Sequence, residues 1–333
     1  MKPHTVIAVV ALTMGPVDTA RAGPPLPEGA ITRIAFGSCA KHWQPQPIWD
    51  AVIRADPDLW LFLGDNVYGD TDGATAWEIS EGQINGEWNR LADKPEWQRF
   101  RAQVPMLATW DNHDYGSHAG GGEFPHKEIA RKAFLTFFEE PKDSPRWTRD
   151  GIYHAKMFGP EGKRVQIVLL DTKFNRSPFQ KDPTPRDERL AAGKVGSYLP
   201  DDDSTRTHLG EEQWGWLEAE LKKPAELRLL CSSTQVIPNQ KGMDEWGNFP
   251  RERERLLKLC GATNGVILLS GNVHFAEISR ITEGVAYPLT ELTSSGMTHI
   301  NEAYGKAPNR FRLGEPLIAL NFGLVEIDWG KGS

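Results

Sequence analysis

Side chains able to hold a metal ion or a phosphate recur at the ends of the apolar runs of this chain. Cys39 closes ITRIAFGSC, Asp65 and Tyr68 follow LWLFLG, and Asn112 and His113 follow MLATWD. Asp171 comes at the end of RVQIVLLD, Gln235 lies in LRLLCSSTQVI, and Asn272 and His274 follow GVILLSG. Taken singly, each has a bland explanation, because Asn, Asp and Gly are ordinary turn residues and a lone histidine is more often a hydrogen-bonded structural group. The repetition carries the information. Successive strand ends of one sheet converge in space, and open α/β sheets bind ligands just past the carboxyl ends of their strands. Thiolate, phenolate and imidazole suit a redox-type transition metal, whereas carboxylate and amide oxygens suit hard cations. The set therefore reads as the site of a metal-assisted hydrolase.

Those residues need rigid elements behind them. LWLFL at 59–63 is an uninterrupted apolar run ended by Gly64, the pattern of a buried strand. It is preceded by a strand at 31–39 and a helix at 48–57 that Pro57 terminates, which makes a β-α-β unit with parallel strands and a right-handed crossover. Further along, the spacing predicts a polar loop at 70–86, helices at 87–102 and 126–139, and a strand at 106–110. Strands at 152–158 and 164–172 flank a Gly-Pro-Glu-Gly turn, and helices at 210–222 and 250–260 lead into strands at 227–237 and 265–272. AEISRI, YPLTELTSS and LIALNFGLVEI are expected to form a final, shorter, antiparallel set. Residues 175–208 lack periodicity, which marks a functional or mobile loop. Their run Asp201-Asp202-Asp203 reads as solvated charge, with a calcium site as the alternative.

Composition narrows the class. With 39% hydrophobic and 25% charged residues, the 333-residue chain is an ordinary globular protein with ample core. A formal net charge of −7 leaves no nucleic-acid footprint and disfavours anionic membrane surfaces. Residues 1–22 read as a signal peptide: Lys2, the apolar run at 6–15, and Ala20-Arg21-Ala22 as an A-x-A cleavage pattern. The mature chain, 23–333, is then a single exported domain, periplasmic or extracellular. Of the three cysteines, Cys231 and Cys260 are open to pairing and Cys39 is the functional candidate.

Gly-Asp-x-x-Tyr, then Asn-His-Asp, then Gly-x-x-His late in the chain resembles the calcineurin-like metallophosphoesterases. More narrowly, the sequence resembles alkaline phosphatase D, the PhoD-type phosphatase/phosphodiesterase family. The matching segments are FGSC (36–39), GDNVY (64–68), TWDNHDYG (109–116), LLDTKFNR (169–176), LGEEQWGWL (209–217), DEWGNFPRERERLL (244–257) and LSGNVHFAE (269–277). They run from about residue 31 to 282 in the family's order. Longer members carry an N-terminal β domain for which residues 23–30 leave no room, so a short form is expected.

The resemblance implies an α/β fold, a metallophosphoesterase-like sandwich of two mixed β-sheets flanked by helices. It implies phosphomonoesterase and/or phosphodiesterase activity on a phosphate ester, with Fe3+ and Ca2+ as cofactors. Carried onto this chain, Cys39, Tyr68 and His274 hold iron, Asp65 bridges, and Asn112 and Asn272 face the calcium-like site with Gln235 nearby. His113 protonates the leaving group, Arg176 neutralises phosphoryl charge, and Asp111, Asp114 and Asp171 orient the ligands from behind. Asn112 and Asn272 stand where the family pattern leads one to expect aspartate, and each removes a negative charge from a cation site. Two other readings stand beside this one: a cysteine hydrolase with Cys39 as nucleophile and His113 or His274 as base, and a non-catalytic binding protein on the same fold.

Overall fold

The computed structural model describes residues 23–70 and 80–331, so the signal peptide expected at residues 1–22 lies outside the described residues. The strands are β1 (Arg33–Gly37), β2 (Leu59–Leu63), β3 (Met106–Thr109), β4 (His154–Phe158), β5 (Val165–Leu169), β6 (Gln180–Lys181), β7 (Tyr198–Leu199), β8 (Leu227–Cys231), β9 (Val266–Ser270), β10 (Ala276–Ile281), β11 (Leu289–Ser294), β12 (Arg312–Leu317) and β13 (Gly323–Glu326). The helices are α1 (Ile48–Arg54), α2 (Glu81–Ala92), α3 (Pro95–Arg101), α4 (Asn112–Tyr115), α5 (Lys127–Phe137), α6 (Arg186–Ala191), α7 (Glu211–Leu221), α8 (Pro250–Gly261) and α9 (Glu302–Lys306).

Two sheets stack face to face. The smaller runs β13-β1-β2-β3, with β1, β2 and β3 parallel and β13 antiparallel at its edge. The larger runs β12-β10-β11-β9-β8-β5-β4. Its central strands β11, β9, β8 and β5 are parallel, with β4 and β10 antiparallel beside them. The expected sandwich of two mixed sheets flanked by helices is what the chain forms.

Alternation along each strand builds the layers. In β2, Leu59, Leu61 and Leu63 face the other sheet, where Val165, Ile167, Leu169, Leu229 and Leu269 meet them. Trp60 and Phe62, between them in sequence, face outward onto Trp49, Trp88, Trp97, Phe100 and Phe134 from the helices that cover the smaller sheet. Val168, Leu170, Leu230 and Leu268 likewise face outward from the larger sheet onto Trp214, Leu217 and Leu256 of α7 and α8. A strand covered on both faces has no polar side, which is why β2 reads as an unbroken apolar run. Most of the large aromatic side chains on the smaller sheet's outer face are packing residues.

Several boundaries differ from the sequence expectation. The helix expected at 87–102 is two helices, because Pro95 lacks an N–H and starts a new helix as its first residue. The first of these begins at Glu81, inside the expected loop, where Ser80 caps it with a reciprocal Gln83 bond. β11 is parallel to β9 rather than antiparallel, and of the expected antiparallel set only β10 and β13 run antiparallel throughout. β12 precedes the segment expected to form the last strand, and that segment contributes β13 alone. The 175–208 stretch holds the β6–β7 hairpin and α6, and its Asp201 and Asp202 pair with Arg206 and Arg251 as solvated charges do. Cys231 lies in the core between the sheets and Cys260 in the core on the outer face of the larger sheet, and both are free.

The parallel strands of both sheets deliver their carboxyl ends to one rim. Backbone bonds join the loops there: Ala40 N to Asp65 O at 3.0 Å, Gly271 N to Ser233 O at 3.0 Å, and Met297 N to Ser38 O at 3.3 Å. Gly64 carries φ +99°, and a Cβ on it would lie 2.5 Å from Asp111 Cβ. Gly64→Ala therefore brings both a strained backbone and a clash, and is expected to destabilise the fold by roughly 2–4 kcal/mol. A thermal melt showing less than a two-degree loss would contradict that packing.

Candidate metal centre

Three ligand types from three strand ends meet at the rim. Cys39 follows β1, Asp65 follows β2 and His274 follows β9, and one ligand atom from each lies within 4.8 Å of the other two. The Cys39 thiol is 3.2 Å from Asp65 Oδ2 and 3.0 Å from Ser295 Oγ, and the same hydroxyl accepts the His274 N–H at 2.8 Å. The other oxygen of Asp65, Oδ1, accepts the His113 N–H at 3.3 Å. Asp65 thus faces two groups of residues at once, as a bridging carboxylate must.

The backbone is bent to achieve this. Cys39, Asp65, Asn272 and His274 all have left-handed φ, from 52° to 69°, and the other described non-glycine residues that do so are Asp56 and Glu139. Such conformations cost of order 1–3 kcal/mol each and persist where the surroundings hold them. Here they turn the chain sharply after β1, β2 and β9, so that side chains point across the rim.

Burial sets the charge states of the metal-free protein. Burial first, and then the charge of Asp65, push the Cys39 thiol well up. Tyr68, 2% exposed, is pushed up in the same way. His274 is pushed well down, by burial and then by the neighbouring His299 and His113, so its imidazole is neutral and ready to ligate. A bound cation reverses the first two shifts and holds thiolate and phenolate. Cys39 is fully buried with a raised pKa, the opposite of what a cysteine nucleophile needs, and the cysteine-hydrolase reading fails on both counts.

His113 sits beside this group, stacked on Tyr68 at 4.1 Å between ring centroids. Its Nδ1 is 2.6 Å from Asp70 Oδ1. Burial alone would lower its pKa, but the charge of Asp65 and then the Asp70 hydrogen bond and charge outweigh burial and push it up to about 9. Asn112 directs Nδ2 to His118 Nδ1 at 3.1 Å, which leaves its buried Oδ1 without a partner. That orphaned oxygen is an acceptor of the kind a hard cation takes. Asn272 follows β9, its Nδ2 donating to Asp244 O at 3.0 Å.

Other expected residues lie elsewhere. Gln235 is enclosed in a buried network, donating to Glu277 and Thr293 and accepting from Lys241, and has no amide group left for a metal. Arg176 is 1% exposed and donates to the carbonyls of Ser177, Ala119 and Gly120 while stacking on Phe179. It ties two loops together, and its guanidinium is not set among the ligands. Asp171 accepts from Trp110 Nε1 and the N–H groups of Ile152, Lys173 and Phe174, so it anchors loops rather than ligands. Asp114 accepts from Val67 N and Asp111 N and fixes the loops that carry Tyr68 and His113. Asp111 pairs with Lys173 at 2.6 Å, and burial of that lysine is outweighed by Asp111 and Asp244, which keep it charged. The ligand-bearing strand ends come from both sheets, not from one.

Four groups at the site escaped the sequence reading. His299 follows β11, with Nε2 3.3 Å from the Tyr68 hydroxyl and its ring 4.3 Å from that of His274. Lys41 lies over the Tyr68 ring at 5.8 Å. Ser295 and His118 complete the set. His299 and Ser295 obey the same strand-end rule and were obscured because β11 was expected to run antiparallel.

A family model described as PhoD-like phosphatase matches residues 34–309. Among solved structures, one described as the structure of PhoD superposes with a TM-score of 0.68 at 17% sequence identity. The match covers 91% of this chain and 65% of that one, so the chain spans less than two thirds of that relative's length. A search of curated protein sequences gives no match.

The Asp70–His113 pair carries a pH signature in metal-free protein. His113 has its pKa raised from 6.5 to about 9, so the stability it contributes is complete below pH 6.5 and lost as pH rises through 9. Asp70→Asn is expected to move the His113 titration, followed by NMR, back toward 6.5 and to flatten that part of the stability–pH curve. An unmoved titration would separate Asp70 from His113.

Proposed function

Because the chain belongs to the PhoD-like phosphatase family, we propose that it hydrolyses phosphoric esters with a transition metal held by Cys39, Asp65, Tyr68 and His274. The observation that carries this reading is the convergence of thiol, carboxylate and imidazole within 4.8 Å on left-handed backbone. Fe3+ is the ion best matched to thiolate, phenolate and imidazole together, and Ca2+ the hard cation matched to Asp65, Asn112 and Asn272. Bound there, such cations would supply a water that ionises near neutral pH to serve as the nucleophile, and positive charge against the phosphoryl oxygens.

The chain's own residues do the rest. Asp70 occupies His113 Nδ1 and leaves Nε2 as the nitrogen that can deliver a proton to the departing alkoxide. Lys41, over the Tyr68 ring, supplies the cation expected of Arg176 and can meet a phosphoryl oxygen without breaking an existing carbonyl bond. His299 holds the Tyr68 oxygen. Asp111, Lys173 and Ser233 brace the floor of the site, with Ser233 Oγ 3.1 Å from Asp111 Oδ1. Residues 1–22 serve as an export signal, and the mature 23–333 domain works in the periplasm or outside the cell. No described helix is long and apolar enough to cross a membrane.

A second reading, a binding protein that kept the fold, draws on Asn112 and Asn272, which weaken the charge of the hard-cation site. Elemental analysis with assay of p-nitrophenyl phosphate and bis-p-nitrophenyl phosphate separates the two. Near-stoichiometric iron with chelator-sensitive turnover is expected, and an iron-free, inactive protein after metal-replete expression would favour binding. Cys39→Ser is expected to lower iron content and activity together by tenfold or more. His113→Ala is expected to lower kcat by about 10²–10⁴ on alkyl esters, with a smaller loss on p-nitrophenyl esters, whose leaving group needs no proton. Equal losses on both would remove the proton from His113's role.

A further inference from the structure

Beside the Cys39 group lies a second cluster of ligand atoms, contributed by Asp70, His113 and His118, all within 4.8 Å of one another. We propose that these three residues form a separate, solvent-facing site for a borderline divalent transition metal such as Zn2+, and that filling it inhibits the enzyme. Two imidazoles and one carboxylate with an open fourth position is a donor set that zinc accepts. The inhibitory half of the proposal rests on His113 acting as proton donor; the binding half does not.

The backbone prepares this site. Gly69 N donates to His113 O at 3.0 Å, which fixes Asp70 next to the histidine. Gly116, with φ 88°, ends the short helix α4, and Ser117 N returns to Asn112 O at 3.1 Å, which brings His118 back over the His113 ring at 5.8 Å between centroids. Asp70 and His113 are half-buried and His118 is exposed, so a cation has both a fixed floor and an entry path. Tetrahedral zinc places its ligand atoms about 3.3–3.5 Å apart, given bonds of about 2.0–2.2 Å. Asp70 Oδ1 and His113 Nδ1 start 2.6 Å apart, so seating a cation separates them and turns the exposed His118 side chain toward them. Asn112 already touches His118 Nδ1, and its amide, turned about its terminal torsion, accepts Nδ1–H and leaves Nε2 to the metal, the outer hydrogen bond usual for a ligating imidazole.

The consequence for catalysis follows from which atoms are shared. A metal on this site takes the carboxylate that orients His113 and occupies Nδ1 of the ring, so His113 cannot become an imidazolium, and giving its remaining Nε2 proton to the leaving group would leave an unfavourable imidazolate. The Cys39 group shares no ligand atom with it, but the turned Asn112 amide gives up the oxygen offered to the hard cation, so the two cations compete for that group.

Calorimetric titration with ZnCl2 tests this on the wild type and on His118→Ala, Asp70→Asn and Cys39→Ser, with circular dichroism confirming that each variant is folded. The expected result is a binding event that weakens at least tenfold in His118→Ala and Asp70→Asn and persists in Cys39→Ser. An event unchanged in His118→Ala, or one lost only in Cys39→Ser, would overturn the site. In turnover assays, His118→Ala is expected to need at least tenfold more Zn2+ than the wild type for half-inhibition. Binding without this shift would overturn the inhibitory half alone, and a protein with no esterase activity would still report on the binding half.

Discussion

Apolar contact between the two sheets is the interaction on which the rest depends. Leu59, Leu61 and Leu63 of one sheet lie against Ile167, Leu169, Leu229 and Leu269 of the other, each fully or almost fully buried. Each such side chain contributes about 1.5–3 kcal/mol. Because a one-residue slip would turn every one of them to the wrong face, the contact fixes strand register in both sheets at once. The carboxyl ends of seven parallel strands are then brought to a common rim. Cys39, Asp65 and His274 meet because the strands before them cannot slide.

Polar bonds across the rim extend that constraint. Thr109 Oγ1 donates to Leu170 O at 2.8 Å, from the end of β3 to the end of β5, and Trp110 Nε1 reaches Asp171 at 2.9 Å. Gly271 fits against Ser38 so closely that a Cβ would lie 2.4 Å from its hydroxyl. These contacts hold the ligand loops while the left-handed residues turn their side chains inward. Rigidity and strain are complementary here: the packed sheets make the strained turns possible, and the turns concentrate unlike donors at one point.

The sequence made much of this visible and hid the remainder for identifiable reasons. Apolar runs ended by glycine revealed the parallel strands, and the ligand-type residues after them revealed Cys39, Asp65, Tyr68, His113 and His274. That the ends came from two sheets was not readable, since strand period reports burial and not sheet membership. The resemblance places Arg176 and Gln235 by residue type and position, and neither tells a free guanidinium or amide from one enclosed by partners. His118 and His299 followed loops with no periodicity, and their approach to the site depends on the Gly116 turn and on β11 running parallel to β9. The break at Pro95 could have been read from the proline alone.

Asn272 has φ 69°, and asparagine and aspartate are the side-chain-bearing residues that visit this conformation most readily. Exchange between the two changes the formal charge at the rim by one while leaving the turn after β9 as it is. Geometry and charge are thereby separable at this position: a lineage carrying this fold can change the charge of the rim with a single codon change, and the scaffold does not have to be rebuilt around it.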